Sequence, residues 1–254
     1  MTAQGEFAEI AEQDGRAALV SVVAGAKLGA KLLVKADGGV SGGLGDADLD
    51  REAVAAADEL MWAERSELRE LGDVTLFVDV TAPAPRLVVF GAVDYAAALC
   101  RLARAAAWLP YVCDPRSQFA TPARFPEAEE VIAAWPEEAF ARIGGIDRAT
   151  YIAVLTHDPK LDDAALSLAL RSEAAYVGAM GSRRAQAQRR ERLLAAGLEE
   201  ELIDRVAAPI GLDLGALTPE ETALSIMAEV VAVRHGRSGG RLSSAAGRIH
   251  EVGA

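Results

Sequence analysis

The strongest constraint on the fold is a strand–turn–helix rhythm that begins near Arg86 and continues toward the C-terminus. Leu87–Phe90 is a short apolar run, followed by Gly91 and a predicted helix over residues 95–108. Similar apolar runs recur at Tyr111–Cys113, Tyr151–Leu155 and Ala175–Gly178. Continuous apolar runs are typical of parallel strands buried on both faces. Alternating strands and helices with short loops therefore predict an α/β fold with a Rossmann-like parallel sheet and right-handed crossovers.

The preceding segment lacks this rhythm. Its apolar and β-branched runs predict strands over residues 16–24, 31–35 and 73–80, with one amphipathic helix over 48–67. Ser41–Asp46 is rich in glycine and is expected to form a loop. Strands that flank a single helix indicate a smaller N-terminal α+β domain.

The sequence Thr-Ala-Pro-Ala-Pro at residues 81–85 is expected to form a short, stiff linker. We therefore predict three parts of the chain. The N-terminal α+β domain covers residues 1–82, the Rossmann-like domain covers 86–237, and a Gly/Ser/Arg-rich flexible tail covers 238–254.

Charge and composition exclude several classes of protein. The formal net charge of the chain is −12, which argues against binding to nucleic acid or to a membrane surface, because both require a positive field. No apolar stretch is long enough for a membrane span, and Met1–Glu12 lacks the basic start of a signal peptide. Two cysteines, Cys100 and Cys113, and three histidines give neither a disulfide framework nor a recognisable zinc site, so we expect reduced thiols in the cytoplasm.

In a sheet of this type, ligands bind beyond the carboxyl ends of the strands. After the first of these strands, a dinucleotide fingerprint would place glycines at 91, 93 and 96, and only Gly91 fits, although Ala96 is an accepted substitute. Val93 is branched, and Asp94 repels a phosphate. Asp114 ends the second strand, at a spacing where an acid accepts a hydrogen bond from a ribose hydroxyl. A plain strand-to-helix turn and a turn aspartate are equally open interpretations.

Polar residues also follow the strand predicted at Tyr151–Leu155, where Thr156, His157 and Asp158 stand in sequence. His157 can donate to a phosphate or move a proton near neutral pH, and Asp158 can cap the next helix. The loop Gly211–Ala216 is expected to close over the same edge of the sheet, with Asp213 either contacting a ligand or holding the loop.

The strongest indication of a ligand site comes after the next strand. Gly178 and Gly181 let the backbone approach a ligand, and Ser182 begins a predicted helix whose first amides favour an anion. Arg183 and Arg184 can fork onto phosphate oxygens. A solvated basic helix is the alternative, because further arginines follow at Arg189, Arg190 and Arg192. Basic residues oppose the dipole at a helix start, however, so a bound anion is the favoured interpretation.

Several of these motifs together resemble the XdhC/CoxI family. The resemblance rests on Thr156–Asp158, Tyr176–Arg184 and Gly211–Glu221, with support from Phe119–Pro126, and it covers most of Arg86–Arg237. It implies an accessory factor for molybdenum hydroxylases such as xanthine dehydrogenase or carbon monoxide dehydrogenase. The implied ligand is the molybdenum cofactor, either molybdopterin, a pterin that carries a phosphate, or its dinucleotide form. The residues assigned to binding it are Gly91, Asp114, Thr156, His157, Asp158, Gly178, Gly181, Ser182, Arg183, Arg184 and Asp213.

The resemblance further implies a chaperone without turnover of its own. Such a protein protects the cofactor during maturation, including sulfuration by a cysteine desulfurase, and helps to deliver it to an apo molybdenum hydroxylase. A second copy of the chain or a second family member is a further expected partner. The competing hypothesis is an NAD(P)-dependent oxidoreductase in which His157 moves the proton, and the incomplete fingerprint after Gly91 argues against it.

Three departures from the family pattern mark this chain as divergent, one of them a short N-terminal domain. Val93 and Asp94 interrupt the glycine fingerprint that the family usually carries after the first Rossmann strand. Lys31–Gly45 resembles a shortened form of the family's Ser-Gly-Gly segment, which usually continues with a cysteine where this chain has Leu44. If that cysteine contacts the cofactor or its sulfur, this chain has lost the means to do so.

Overall fold

The computed structural model describes residues 2–244, which form two compact units, the first ending at Pro83 and the second beginning at Ala84. Residues 245–254, most of the tail predicted to be flexible, lie outside the described residues. Within residues 238–244 the chain forms a short 3-10 turn, Leu242–Ser244.

The first unit is built on a five-stranded antiparallel sheet with strand order β3-β2-β1-β5-β4. Its strands are β1 (Ala17–Ala24), β2 (Lys31–Lys35), β3 (Val40–Gly43), β4 (Glu67–Leu71) and β5 (Val74–Thr81), and its helices are α1 (Ala3–Glu12) and α2 (Ala47–Trp62). The central strand β1 is covered on both faces, because its alternate side chains join different clusters. Ala18, Val20 and Val22 pack with the buried face of α2, whereas Ala17 and Leu19 pack beneath α1.

The second unit is built on a six-stranded parallel sheet with strand order β11-β10-β9-β6-β7-β8. Its strands are β6 (Arg86–Phe90), β7 (Leu109–Cys113), β8 (Glu130–Ile132), β9 (Thr150–Val154), β10 (Tyr176–Ala179) and β11 (Val206–Ala207). Its helices are α3 (Asp94–Ala105), α4 (Pro136–Arg142), α5 (Pro159–Leu170), α6 (Arg183–Ala195), α7 (Glu200–Ile203) and α8 (Pro219–Arg234). The strand order reverses between β6 and β9, as in doubly wound nucleotide-binding sheets.

Helices cover both faces of this parallel sheet. Leu87 and Val89 of β6 point into a core shared with α3 and α8. Val88 and Phe90 point to the opposite side, where α4, α5 and α6 pack, and the Phe90 ring meets the Phe140 ring edge-on at 5.1 Å between centroids. The predicted fold class, a Rossmann-like sheet together with a smaller α+β unit, is confirmed.

Local departures from the prediction concentrate in the first unit. The helix predicted over residues 48–67 ends at Trp62, because Glu64 adopts a φ of +52° and the Arg65 amide bonds back to the Leu60 carbonyl at 3.1 Å. Residues 67–71 then form β4 at the edge of the sheet, and Ser41–Gly43, expected to be a loop, belong to β3. Helix α1 was not predicted.

Candidate functional site

The strand order brings the carboxyl ends of β6 and β9 side by side, so Gly91 and Thr156 are neighbours. A Cβ atom on Gly91 would lie 3.0 Å from the Thr156 amide nitrogen, and Gly91 has a φ of +114°. Glycine is therefore required at this turn by both its conformation and its close approach to the next strand.

Asp114, at the end of β7, is completely buried and fully engaged with its own chain. One carboxylate oxygen accepts from the backbone and Nε of Arg116, both at 2.9 Å. The other accepts from the Ala92 amide at 2.9 Å and from Nη2 of Arg116 at 2.7 Å. Burial alone would raise the pKa of Asp114, but the bonds from Arg116 and the Ala92 amide lower it below its ordinary value. Because a carboxylate accepts about four hydrogen bonds, Asp114 has no acceptor position left for a ribose hydroxyl.

The turn between β6 and α3 is likewise satisfied internally. Val93 precedes the helix without a side-chain cap, and Asp94 occupies the first turn with an exposed carboxylate. Arg124 donates to the Ala92 carbonyl at 3.0 Å and pairs with Asp94 at 3.4 Å. The negative charge of Asp94 stands where a pyrophosphate would bind in a dinucleotide site.

After β9, Thr156 is buried and its hydroxyl accepts from the Asp158 amide at 2.8 Å. The Asp158 carboxylate caps α5 by accepting from the Lys160 amide at 3.0 Å, with Pro159 in the first helical position. His157 lies between them with an exposed side chain. The two flanking residues thus fix the turn that presents His157 at the rim of the sheet.

After β10, Gly181 turns the chain with a φ of +136°, and Ser182 is the N-cap of α6, accepting from the Ala185 amide at 3.2 Å. Arg183 and Arg184 are exposed, and neither forms an ion pair with any residue between 2 and 244. The amides of residues 181–184 donate no hydrogen bond to a described acceptor. This turn therefore combines exposed cationic side chains with amides that donate to no described acceptor.

Gly178 has a different surrounding, because it lies inside β10 rather than at its end. A Cβ atom there would lie 2.5 Å from the Tyr176 hydroxyl and 2.6 Å from Cδ1 of Ile210. The missing side chain leaves room for internal packing. Whether the Gly178 backbone also approaches a ligand stays a prediction.

The remaining arginines of α6 pair with acids of α5 and with the residue that follows α7. Arg192 forms a two-bond pair with Asp163 of α5, at 2.6 and 3.0 Å, and Arg190 pairs with Asp204 at 2.6 Å. Arg189, which the alternative of a solvated basic helix grouped with these residues, is instead buried against Asp162. The one available signal was helical spacing, since Arg189 shares the buried face of α6 with Leu193, one turn further on.

The loop after β11 is tied to α8. Glu229 accepts from the Tyr176 hydroxyl and from the Gly211 amide, the latter at 2.8 Å, and the Ser225 hydroxyl donates to the Leu212 carbonyl. Asp213, in the same loop, is exposed. Hydrogen bonds to α8 thus fix the loop at Gly211 and Leu212, and Asp213 stays a predicted ligand contact.

Neither cysteine is available for chemistry at a surface. Both are buried, and burial raises the pKa of Cys100 to about 12 and raises that of Cys113 as well. Leu44, at the position of the family's cysteine, is completely buried, and its amide donates to Asp50 at 2.6 Å. Within residues 2–244, no group of His, Cys, Asp and Glu side chains is arranged to hold a metal ion. No helix in this part of the chain is long and apolar enough to cross a membrane.

Comparison with known proteins gives relatives for both units. Three curated proteins are similar to this chain. The uncharacterised protein YqeB of Escherichia coli K12 is 26% identical over 92% of this chain and 47% of its own length. A probable xanthine dehydrogenase subunit of Bacillus subtilis 168 is 30% identical over 63% of this chain and 46% of its own length. The molybdenum cofactor insertion chaperone PaoD of Escherichia coli K12 is 33% identical over 39% of this chain and 30% of its own length. The chain thus spans less than half the length of these relatives.

A solved structure supports the fold. The crystal structure of a xanthine dehydrogenase from Bacillus halodurans matches with a TM-score of 0.54 at 19% identity, covering 96% of this chain and 98% of that one. The family models are more specific. The XdhC Rossmann domain matches residues 87–230, more than half of the chain, and the XdhC and CoxI family matches residues 10–72. The chain is therefore a member of the XdhC/CoxI family.

Proposed function

We propose that this chain is an accessory factor in the maturation of the molybdenum cofactor, which it holds by a phosphate and passes to a molybdenum hydroxylase. The observation that carries the proposal is the start of α6. There the exposed Arg183 and Arg184 make no ion pair with residues 2–244, beside amides that donate no described hydrogen bond. The names of two relatives, a probable xanthine dehydrogenase subunit and a molybdenum cofactor insertion chaperone, point in the same direction.

The donor set fits a phosphate better than other groups. The amides of residues 181–184 and the positive end of the α6 dipole favour an anion, and two guanidinium groups can fork onto its oxygens. His157, exposed on the neighbouring turn after β9, would add a donor to the same ligand. The bound pterin would supply the metal chemistry of the hydroxylase. The residues of this chain would bind and orient it.

The surroundings of the cysteines bear on how sulfur would reach the cofactor. Cys100 and Cys113 are both buried with raised pKa values, so their thiols are poor carriers of transferable sulfur. We therefore propose that a cysteine desulfurase supplies sulfur directly to the cofactor held by this chain in the cytoplasm. The apo-hydroxylase would be the acceptor partner, with a second copy or another family member assisting.

The proposal is tested with molybdenum cofactor released anaerobically from a donor enzyme. Binding to the purified chain and activation of apo xanthine dehydrogenase are both measured. Arg183→Ala should weaken cofactor binding by about 1.5–3 kcal/mol, the value of a charge-assisted hydrogen bond. Arg190→Ala is the matched control, because it removes an arginine of the same helix that already pairs with Asp204. Unchanged affinity in the Arg183→Ala/Arg184→Ala double variant would refute the assignment of the site.

The NAD(P)-dependent alternative has less support. The acid that would hold a ribose, Asp114, is saturated by Arg116 and the Ala92 amide, and Asp94 opposes a pyrophosphate. Titration with NAD(H) and NADP(H) decides the question. A dissociation constant below about 100 μM, roughly −5.5 kcal/mol, would restore the oxidoreductase hypothesis.

A further inference from the structure

Two side chains of α6 form hydrogen bonds with backbone carbonyl groups of the turn between β10 and α6. Nε2 of Gln186 lies 3.4 Å from the Ala179 carbonyl oxygen and 3.3 Å from that of Gly181. Nη2 of Arg189 donates to the carbonyl between them, that of Met180, at 2.9 Å. Three successive carbonyl groups, one at the end of β10 and two in the turn, therefore accept hydrogen bonds from side chains of α6. The amides that follow, at residues 181–184, are the ones without a described acceptor.

Arg189 is the centre of this arrangement. Its side chain is 6% exposed, and the same Nη2 atom lies 3.0 Å from Asp162, whose side chain is 4% exposed. Nη1 of Arg189 donates to the Gln186 side chain. Nε of Arg189 and one oxygen of Asp162 are buried without a hydrogen-bond partner among the described residues. One guanidinium group thus links α5, α6 and the turn.

Stability is a weak reason for such a pair. Removing two charges from water costs several kcal/mol per ion, and well-packed apolar residues in place of a buried ion pair are often as stable or more so. Burial accordingly raises the pKa of Asp162, against the opposing effect of Arg189. What the apolar alternative cannot do is bind a backbone carbonyl and an acid at the same time, as the planar guanidinium does here.

We propose that Arg189, with Asp162 and Gln186, is a positioning residue that orients the 181–184 amides toward a phosphate monoester. The inference rests on the proposed function, because it concerns the same anion site. Arg189 does not touch the phosphate. It holds the Met180 carbonyl inward while Gln186 holds those of Ala179 and Gly181, so that the amides and the first residues of α6 face the ligand.

The chain contains a matched comparison for Arg189. Arg192 and Asp163 also join α6 to α5, with two hydrogen bonds at 2.6 and 3.0 Å. This second pair binds no carbonyl of the turn between β10 and α6. A change at Arg192 therefore weakens the contact between the same two helices and leaves the turn in place.

The experiment compares the wild-type chain with Arg189→Lys and Arg192→Lys. Both substitutions keep the charge beside the buried or half-buried acid, but lysine lacks the fork that reaches two acceptors. The ¹⁵N-labelled proteins are titrated with inorganic phosphate, and amide shifts at residues 181–184 report binding. Arg189→Lys should weaken phosphate binding by roughly tenfold, the loss expected when charge-assisted bonds that orient a site are removed. Arg192→Lys should bind as the wild type does.

The outcomes separate the two proposals. Equal affinity of Arg189→Lys and wild type would overturn the positioning role and leave the proposed function standing. Equal weakening in Arg189→Lys and Arg192→Lys would also overturn it, because a general loosening of α5 and α6 would then suffice. If phosphate shifts none of these amides in the wild type, the anion site fails and both proposals fall. Should Arg189→Lys not fold, Gln186→Met removes two carbonyl contacts of the turn and must show the same direction of change.

Discussion

Replacing Gly178 with alanine would put a methyl group into space that other side chains already occupy. The new carbon would lie 2.5 Å from the Tyr176 hydroxyl and 2.6 Å from two carbons of Ile210, well inside van der Waals contact. Gly178 lies within β10 and is buried, and its φ is outside the left-handed region, so the cost is steric. To relieve the overlap, the Ile210 side chain and the Tyr176 ring must both move.

The magnitude follows from these two displacements. Overpacking a buried site by one methyl group costs about 1–3 kcal/mol. Movement of the Tyr176 ring also weakens its bond to Glu229, the carboxylate that holds the Gly211 amide at 2.8 Å, and a hydrogen bond to a charged group contributes about 1.5–3 kcal/mol. With partial loss of that bond, we expect Gly178→Ala to destabilise the second unit by about 2–4 kcal/mol.

The assay is equilibrium urea unfolding, read from the fluorescence of Trp108. This ring is buried in the second unit and packs against Tyr151 at 4.7 Å between centroids. Trp62→Phe and Trp135→Phe in the background make Trp108 the single reporter of the three tryptophans. Gly240→Ala is the control, because the nearest atom to its new methyl group, Oγ of Ser238, would be 3.6 Å away.

A double-mutant cycle identifies the cause. Ile210→Val deletes Cδ1, one of the atoms that the new methyl group would meet, so the double variant should recover about 1 kcal/mol relative to the sum of the single changes. A loss below about 0.5 kcal/mol in Gly178→Ala, the range of a neutral surface change, would refute the steric argument. Strict additivity of the two substitutions would refute it as well.

Three further predictions concern groups whose surroundings the structure defines. Cys100 and Cys113 should resist alkylation by iodoacetamide at about pH 8 in the native protein and react in urea, because burial raises the pKa of both thiols. The number of labels is counted by mass spectrometry. Rapid labelling of the native protein would contradict the buried placement of the two thiols. Asp114→Asn should lower the free energy of unfolding near neutral pH. Because bonds from Arg116 lower the pKa of Asp114 in the fold, its contribution is present above the unfolded value of about 3.9 and is lost as pH falls through the lower folded value. The difference from wild type should therefore shrink below about pH 4 in thermal unfolding, and a pH-independent difference would argue against an ionised Asp114. Thr218→Ala removes the cap of α8 and should cost about 1 kcal/mol, whereas Thr218→Ser should keep most of it; equal stability of all three proteins would show that the cap contributes nothing.

The second unit was predictable because its apolar sequence runs coincide with the strands that are buried on both faces of the sheet. The strand predicted at 151–155 is observed at Thr150–Val154, since a strand covered on both faces must be apolar throughout. The start of the last helix is likewise specified by its own residues, since Thr218 is the N-cap, Pro219 stands in the first turn and Glu221 completes the capping box. Ser182 is also the N-cap of its helix, as expected.

The edges of the first unit were less predictable, for a physical reason. Glu67–Leu71, with the sequence Glu-Leu-Arg-Glu-Leu, consists of good helix formers, and its strand conformation comes from pairing with β5 across a short turn. Edge strands need little apolar surface, so β3 and β4 carry a weak pattern. Tertiary pairing decides such segments, and a single sequence does not display it.

The candidate site likewise contains features that the sequence predicts and features that it does not. The exposed residues at strand ends, His157, Arg183 and Arg184, could be placed at one edge of the sheet from their spacing along the chain. The engagement of Asp114 by Arg116 and the burial of Arg189 against Asp162 could not. Several arginines could pair with each of these acids, and the packing of the helices determines which one does.

The ion pairs Asp94–Arg124 and Asp114–Arg116 limit how readily this domain could be converted into an NAD-binding domain. Exchanging Val93 for glycine would leave the carboxylate of Asp94 in the way. Removing Asp94 would leave Arg124 bonded to the Ala92 and Phe119 carbonyls, and Asp114 would still be occupied by Arg116. No change at Val93 or Asp94 alone therefore frees an acceptor on Asp114 for the ribose of NAD. Engineering a dehydrogenase from this scaffold would require several simultaneous replacements on that side of the sheet.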